Sequence, residues 1–370
     1  MLLIDFLPLL YYNVHKAVMK IGFKYFQDPF SPHLTTINRC ESKRLNDGSG
    51  FMNNEKNYKE LLSRSANKYK LSLHTHSTFS DGNFTPEQLK KMYMAEGYSA
   101  IAFSDHGNCI PHTELTDENF VALTAVELDF NIGDENGKLA SSVHLNAIAK
   151  NPTLARQYKS ELLDYEFVNE TIRNLKDDGF FVTVNHPVWS NLSTDDLLKI
   201  QGADAVEVHN SLAVFSYNYS DDSAFYEYFL RKGGRALPIA ADDTHNAFED
   251  GSPFLEYYKG FTMVAAPELS YTSIMDALSA GNIFASTGPL FESIWLEGDL
   301  LHVECSPVCG VYVHSKCMIL NAHIIRKTDS ITHAVIDISK IREGSPYFWV
   351  QLRNTHGEKA WSAPFWFEKL

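Results

Sequence analysis

From Tyr69 to about residue 285 the chain repeats one pattern: a short apolar run of β-forming residues, a polar turn, then a stretch with apolar positions at helical spacing. The apolar runs predict strands at Lys70–Leu73, Ala100–Phe103, Ala122–Val126, Val143–Ala149, Phe180–Val184, Ala205–Val208, Ala236–Ala240 and Gly260–Val264. The intervening periodic stretches predict helices at Pro86–Glu96, Gln157–Asp177, Thr194–Ile200, Asp222–Arg231 and Tyr271–Ser279. Thr85 suits an N-cap and Pro86 the first helical position. Alternation of this kind implies parallel βα units in an α/β fold. After Ser286-Thr287-Gly288-Pro289 the helical spacing stops. Short alternating runs at Leu300–Cys305, Gly310–His314, Ala334–Ile338 and Tyr347–Leu352 then predict a small all-β sandwich.

Residues 1–65 show no clean period. Asn46-Asp47-Gly48-Ser49-Gly50 reads as a loop, and Asn54–Ser65, with Tyr58, Leu61 and Leu62 at helical spacing, as a short helix feeding the first strand. The chain thus divides into an extension (1–65), an α/β region (66–289) and a β-sandwich (290–370). Met1–Tyr12 is apolar, but Asp5 and Pro8 interrupt it, no basic residue precedes it and no small-residue cleavage site follows. It is expected to be a docked lead-in rather than a signal peptide. No later run reaches membrane-spanning length.

A hydrophobic content of 44% over 370 residues supports a large core with room for a second small domain. The formal charge of −14 argues against stable binding to nucleic acid or to an anionic membrane. The five cysteines are odd in number and form no CxxC pair, so neither a disulfide framework nor a structural zinc module is indicated, and a reducing cytoplasm is the expected setting.

The polar turns carry the chemistry. His74 and His76 stand two apart at a strand end, so both imidazoles share one face, as two ligands of one metal require. An HxH pair alone is also compatible with two partly exposed polar residues. Asp81 sits in a Ser-Asp-Gly turn able to fold back over them. Asp105 and His106 follow the next strand, with His106 the better ligand and Asp105 suited to orienting a ligand by a hydrogen bond. Glu127 interrupts a β-like run, where an unpaired buried carboxylate would be costly. His144 reads equally as a satisfied strand histidine or as a ligand. His186, fixed by Pro187, ends another strand, and Asp243 and His245 repeat the i, i+2 geometry while Asp242 points the other way. His209 ends a further strand and is a candidate for contact with metal or substrate. Lys232 and Arg235 lie at the opposite end and are not assigned to phosphate binding. Phe215, Tyr217 and Tyr219 are read as packing residues rather than as a stacking platform.

Taken together, the order HxH, D, DH, E, H, NHP and DxH resembles the polymerase and histidinol phosphatase (PHP) superfamily over about residues 69–290, most specifically in Leu73-His74-Thr75-His76-Ser77-Thr78-Phe79-Ser80-Asp81-Gly82. The resemblance implies a distorted (β/α)7 barrel holding two or three divalent metals, Mn, Fe or Zn. Carried over by position, it implies one metal at His74, His76, Glu127 and Asp243, a second at Glu127, His144 and His186, and a third at Asp81, His106 and His245. Asp242 stands where many relatives have serine. The β-rich tail is similar to that of the subgroup with a C-terminal sandwich.

The function implied is hydrolysis of phosphate mono- or diesters in a small phosphorylated substrate or nucleotide. The nucleophile would be a hydroxide bridging two metals, since coordination lowers the pKa of water from about 15.7 toward 7. His209, or water on a third metal, would protonate the leaving oxygen. A carboxylic ester or amide hydrolase using the same site is one alternative, and a non-catalytic carbohydrate- or surface-binding protein the other.

Overall fold

Every apolar run expected as a strand before residue 285 falls on one to within a residue at its ends, in a computed structural model that describes residues 58–370 except 135, 159–160, 247 and 249–250, with 161–163 described by backbone alone. In chain order the strands are β1 (Tyr58–Leu62), β2 (Asn67–Thr75), β3 (Tyr98–Phe103), β4 (Asn108–Cys109), β5 (Val121–Gly133), β6 (Leu139–Ile148), β7 (Arg156–Gln157), β8 (Glu161–Leu163), β9 (Phe181–Val184), β10 (Ala205–Asn210), β11 (Leu237–Ala241), β12 (Phe261–Ala266) and β13 (Ile283–Ser286). Helices α1 (Pro86–Ala95), α2 (Tyr165–Asp177), α3 (Thr194–Lys199), α4 (Ser223–Arg231) and α5 (Tyr271–Ala280) intervene.

Local chemistry sets the helix ends. The Thr85 hydroxyl accepts from Gln88 N while the Gln88 side chain accepts from Thr85 N, which closes a capping box ahead of α1. Gly281, at φ 75°, ends α5 in the left-handed region that glycine adopts without strain. α2 begins later than expected, with Asp164 as its N-cap. Residues 156–157 instead pair with β4, and 161–163 run parallel to β5.

The strands hydrogen-bond in the order β11-β10-β9-β6-β5-β3-β2-β12-β13. β2, β3 and β5 are mutually parallel, as are β9, β10 and β11. The expectation of uniformly parallel units is corrected at β6 and β12, which run antiparallel to their neighbours. The link from β5 to β6 is a short turn closed by Asp134, too short for the crossover that parallel strands require.

The ladder does not close among the described residues. β11 and β2 meet only at their ends, where His76 N donates to Thr244 O (3.0 Å) and Asp243 N donates to His74 O (3.1 Å). The observed fold is a mixed α/β arrangement built on a large sheet. Its inner core joins Leu71, Leu73, Ala102, Leu123, Ile239 and Val264, all buried.

The remaining strands are β14 (Phe291–Glu297), β15 (Leu300–Val308), β16 (Gly310–Ser315), β17 (Ala322–Ile325), β18 (Ile331–Asp337), β19 (Tyr347–Arg353), β20 (Lys359–Ser362) and β21 (Phe365–Trp366). One short helix, α6 (Ser339–Gly344), interrupts a region expected to be free of helix. One sheet runs β1-β14-β15-β18. The other strands continue the large sheet through the pairing of β13 with β20. The helix expected over 54–65 is corrected: Tyr58–Leu62 is a strand edge-on to β14, because pairing and the burial of Leu62 override local spacing. The readings of Met1–Tyr12 and of residues 46–50 lie outside the described residues. None of the described helices is long and apolar enough to cross a membrane.

Candidate metal centre

Strand ends gather the candidate ligands around one cavity of about 160 Å³. His74 and His76 straddle the end of β2, His106 follows β3, Glu127 lies within β5 and His144 within β6, His186 follows β9, and Asp243 and His245 follow β11. Gly82 permits the turn that returns Asp81 to this group, since a Cβ there would lie 2.4 Å from the His76 carbonyl oxygen. His186 (φ 25°) and Asp243 (φ 55°) occupy left-handed backbone, a cost of roughly 1–2 kcal/mol for each non-glycine residue. Such conformations cluster at functional sites.

Three donor groups result. In the first, His74 Nε2 lies 3.3 Å from Glu127 Oε2 and 3.0 Å from Asp243 Oδ1, and His76 Nε2 lies 3.1 and 3.2 Å from the same oxygens. In the second, Glu127 Oε1 stands 3.1 Å from His144 Nδ1 and 3.5 Å from His186 Nε2. In the third, Asp81 Oδ2 stands 3.6 Å from His106 Nε2 and 3.4 Å from His245 Nε2. The two oxygens of Glu127 face different groups, as a bridging carboxylate would.

The donor set fits a divalent metal. Ligands held about 2.1 Å from one ion at right-angled or tetrahedral spacing stand roughly 3.0–3.4 Å apart, close to the separations observed. Asp243 Oδ1 is buried and makes no hydrogen bond despite nitrogens at 3.0 and 3.2 Å, an acceptor that a cation would satisfy. Moreover, the far nitrogens are pinned. His74 Nδ1 pairs with Glu207 Oε1 (2.8 Å), His186 Nδ1 with Ser190 Oγ (3.0 Å) and His245 Nδ1 with the Asp243 carbonyl oxygen (2.9 Å). Each pairing leaves Nε2 turned inward, the arrangement that orients metal-binding imidazoles.

Electrostatics agree. Burial opposes charge on His106 and His245, but Asp129, Glu127 and Asp81 around the first, and Asp81 and Asp243 around the second, raise both to about 9. Burial would raise the carboxyl pKa values of Glu127 and Asp243, yet the neighbouring imidazoles hold both well below the usual range. Protons on imidazole thus stand where cations would balance the same carboxylates.

The two residues expected to act beside the ligands, His209 and Asp105, do not line the cavity. A register shift in β10 after Glu207 turns the His209 ring into a separate cavity of about 480 Å³ with Phe215, Lys259 and Trp361, where its Nε2 pairs with Ser211 Oγ (3.2 Å). Burial there lowers its pKa to about 4. Asp105 accepts from Ser77 N, Ser77 Oγ and Ser80 Oγ, each at 2.8 Å, and so fixes the loop that carries Asp81. Tyr217 also departs from the packing role expected of it, for it is 56% exposed and lines the metal cavity. Asp242 does point away, into a ring of backbone donors. Lys232 and Arg235 pair with Asp195 and Glu368, away from the cluster.

Other residues of the site escaped sequence reasoning. Glu207 binds His74 Nδ1 and also accepts from His186 N (2.7 Å) and Asn210 Nδ2 (2.9 Å). Asn185 Nδ2 donates to Glu127 Oε1 (2.8 Å), and Asp129 approaches His106 (3.1 Å) and His144 (3.2 Å). Glu207 carried the same signal as Glu127, an acid inside an apolar strand. Asp129 was marked by standing two residues after Glu127, on the same strand face.

A mixed α/β sheet on which imidazoles and carboxylates cluster in this way forms a candidate centre for divalent metals. Residues 72–200 match the family model of the PHP domain. No curated protein matches the chain. Among solved structures, it is similar to a two-domain protein from Bacteroides vulgatus that contains a PHP-like region assigned as a metal-dependent phosphoesterase, at 16% identity and a TM-score of 0.43, over 82% of this chain and 96% of that one. It is also similar to an amidohydrolase from Chromobacterium violaceum with bound sulfate and no metal, at 13% identity and a TM-score of 0.36, over 50% of this chain and 93% of that one. A third, from Bifidobacterium adolescentis, is assigned as a metal-dependent phosphoesterase, with 16% identity, a TM-score of 0.38 and coverage of 49% and 90%. None of these likenesses is strong enough to speak to activity.

Proposed function

We propose that this chain is a phosphoesterase that cleaves a small phosphorylated substrate, within a distorted barrel of the PHP type. The observation that carries the reading is the pair of donor groups that share Glu127, with a third group beside them, all opening on one cavity. His74, His76, Glu127 and Asp243 would hold one divalent ion, Glu127, His144 and His186 a second, and Asp81, His106 and His245 a third, with Mn, Fe or Zn suited to such mixed ligands. When bound, these ions acidify water and neutralise charge on the phosphoryl oxygens.

The chain's own groups supply the rest. Glu207 fixes the orientation of His74 and the backbone of His186. Asn185 and Asn210 each donate to a carboxylate of the cluster and keep its free oxygens turned inward. Asp105 and Ser80 hold the turn bearing Asp81 at the cavity mouth.

The test is a substrate panel on protein stripped by chelation and then reloaded with Mn, Fe or Zn. Cleavage of para-nitrophenyl phosphate or its bis-ester, present only after reloading, is expected. Cleavage of para-nitrophenyl acetate with every phosphate ester left intact would overturn the proposal in favour of carboxylic ester hydrolysis.

A further inference from the structure

One wall of the metal cavity has no part in holding metal. It consists of Trp189, Leu212, Ala213 and Tyr217. The indole of Trp189 meets His186 and His144 edge-on, with centroids at 4.8 and 5.6 Å, so its position is tied to the second donor group. Tyr217 lies 6.0 Å from Trp189 at an interplanar angle of 51°. A ring sandwiched between two others needs roughly 7 Å, twice the van der Waals stacking separation, so the pair forms a single angled wall. Tyr217 is anchored although exposed. Its segment, the π-helical turn Leu212–Ser216, is held by Leu212 N donating to Asp242 O (3.0 Å) and Ala213 N donating to Asn210 Oδ1 (2.9 Å), and Tyr217 N donates back to Leu212 O (3.2 Å). A large exposed aromatic on a pinned backbone is a surface for contact, since its burial against a ligand costs little ordering.

The charge of the cavity narrows the ligand further. Among the described residues lining it, none is lysine or arginine, whereas Asp81, Glu127 and Asp243 are acidic. Bound cations would balance one phosphoryl group, and a second phosphate placed against the apolar wall would meet no cation.

We propose that Trp189 and Tyr217 form a leaving-group subsite for a flat, uncharged ring, so that the substrate is the phosphomonoester of an aromatic or heteroaromatic group. This inference rests on the phosphoesterase reading of the metal site. Stacking on such a wall is worth about 1–3 kcal/mol in nucleic-acid complexes, which corresponds to roughly five- to 150-fold in affinity.

The experiment measures binding without turnover. Phenylphosphonate and methylphosphonate are titrated calorimetrically into the metal-reloaded full chain, and kcat/KM is compared for phenyl phosphate, methyl phosphate and phenyl diphosphate. Phenylphosphonate should bind about tenfold or more tightly than methylphosphonate, and phenyl phosphate should be preferred to the diphosphate. Tyr217→Ala, at a position more than half exposed, should erase most of the phenyl preference, while Tyr217→Phe should keep it. Equal binding of the two phosphonates, or a preference untouched by Tyr217→Ala, overturns the subsite and leaves phosphoesterase activity standing. Failure of every phosphate ester and phosphonate overturns both.

Discussion

At the level of single residues, the site keeps its carboxylates charged in a buried place by surrounding them with imidazoles, and this has a pH signature. His106 and His245 rise to about 9 against an unperturbed value of about 6.5. Groups whose folded pKa lies above the unfolded one stabilise the fold fully below the unfolded pKa and lose that contribution as pH climbs through the folded one. Burial raises the Asp222 carboxyl to about 8, with the same sign. Metal-free protein is therefore expected to melt at a lower temperature at pH 9.5 than at pH 6.5, and a Tm that climbs across that interval would refute the assignment. Glu207 offers a sharper test, because its Oε2 accepts from two donors, His186 N and Asn210 Nδ2. In Glu207→Gln, either the amide NH2 replaces this oxygen and faces those donors, or it faces His74 Nδ1. Metal affinity should fall about 10–100-fold by competitive chelator titration, the usual effect of losing a partner that orients a ligand. Undiminished affinity would remove Glu207 from the orienting role. Most donor residues were legible because they end or interrupt an apolar run, as His74, His76, His186 and Asp243 do at strand ends and Glu127 does inside β5. Glu207 carried the same kind of signal but was not singled out, and the role of Asn185 lies in the Glu127 carboxylate it touches across the sheet.

Among elements, those shaped by neighbours in sequence were read well and those shaped by distant partners were not. The capping box of α1 needs only Thr85 and Gln88, four positions that any reader of the chain sees together. The false start of α2 and the helix expected over Asn54–Ser65 share one cause: pairing with β4 and β5 in one case and β14 in the other claims residues whose local spacing suits a helix. The loop from Asp242 to Gly260 shows how a distant contact fixes an element. Buried Asp242 accepts from Tyr258 N (2.7 Å), Lys259 N (3.0 Å) and Gly260 N (2.8 Å), and from Ser211 Oγ and Tyr93 OH at 3.0 Å each. Asp242→Ala strands these donors, at about 1–3 kcal/mol for each one left unsatisfied, less whatever entering water restores. A loss of about 3 kcal/mol or more in urea denaturation is expected, and a loss below about 1 kcal/mol would show that the loop is held by other means.

For the whole molecule, the question is whether the β-rich tail is an independent unit. The sequence suggested a boundary near residue 289 because the helical spacing stops there, but a change of period reports secondary structure and says nothing of contacts across it. Those contacts are extensive. β20 pairs with β13 from Phe284↔Ser362 to Ser286↔Ala360, and Lys359 bonds Asp221 (2.6 Å). Buried Trp349 and Trp361 belong to the same apolar cluster as Val206, Val208, Tyr226 and Ala240. A second cluster joins Leu89 and Tyr93 to Val311, Val313 and Val350. Unfolding the α/β region first would expose the apolar surface it shares with the tail, so the two regions are expected to unfold together. Metal-free protein should accordingly melt in one calorimetric transition across the described span, with van't Hoff and calorimetric enthalpies in agreement. Trp361→Ala, which removes a fully buried side chain, should shift that transition as a whole and cost about 3–5 kcal/mol. Two resolved transitions, only one of them moved by Trp361→Ala, would mean that the continuous sheet does not bind its two ends into one cooperative body.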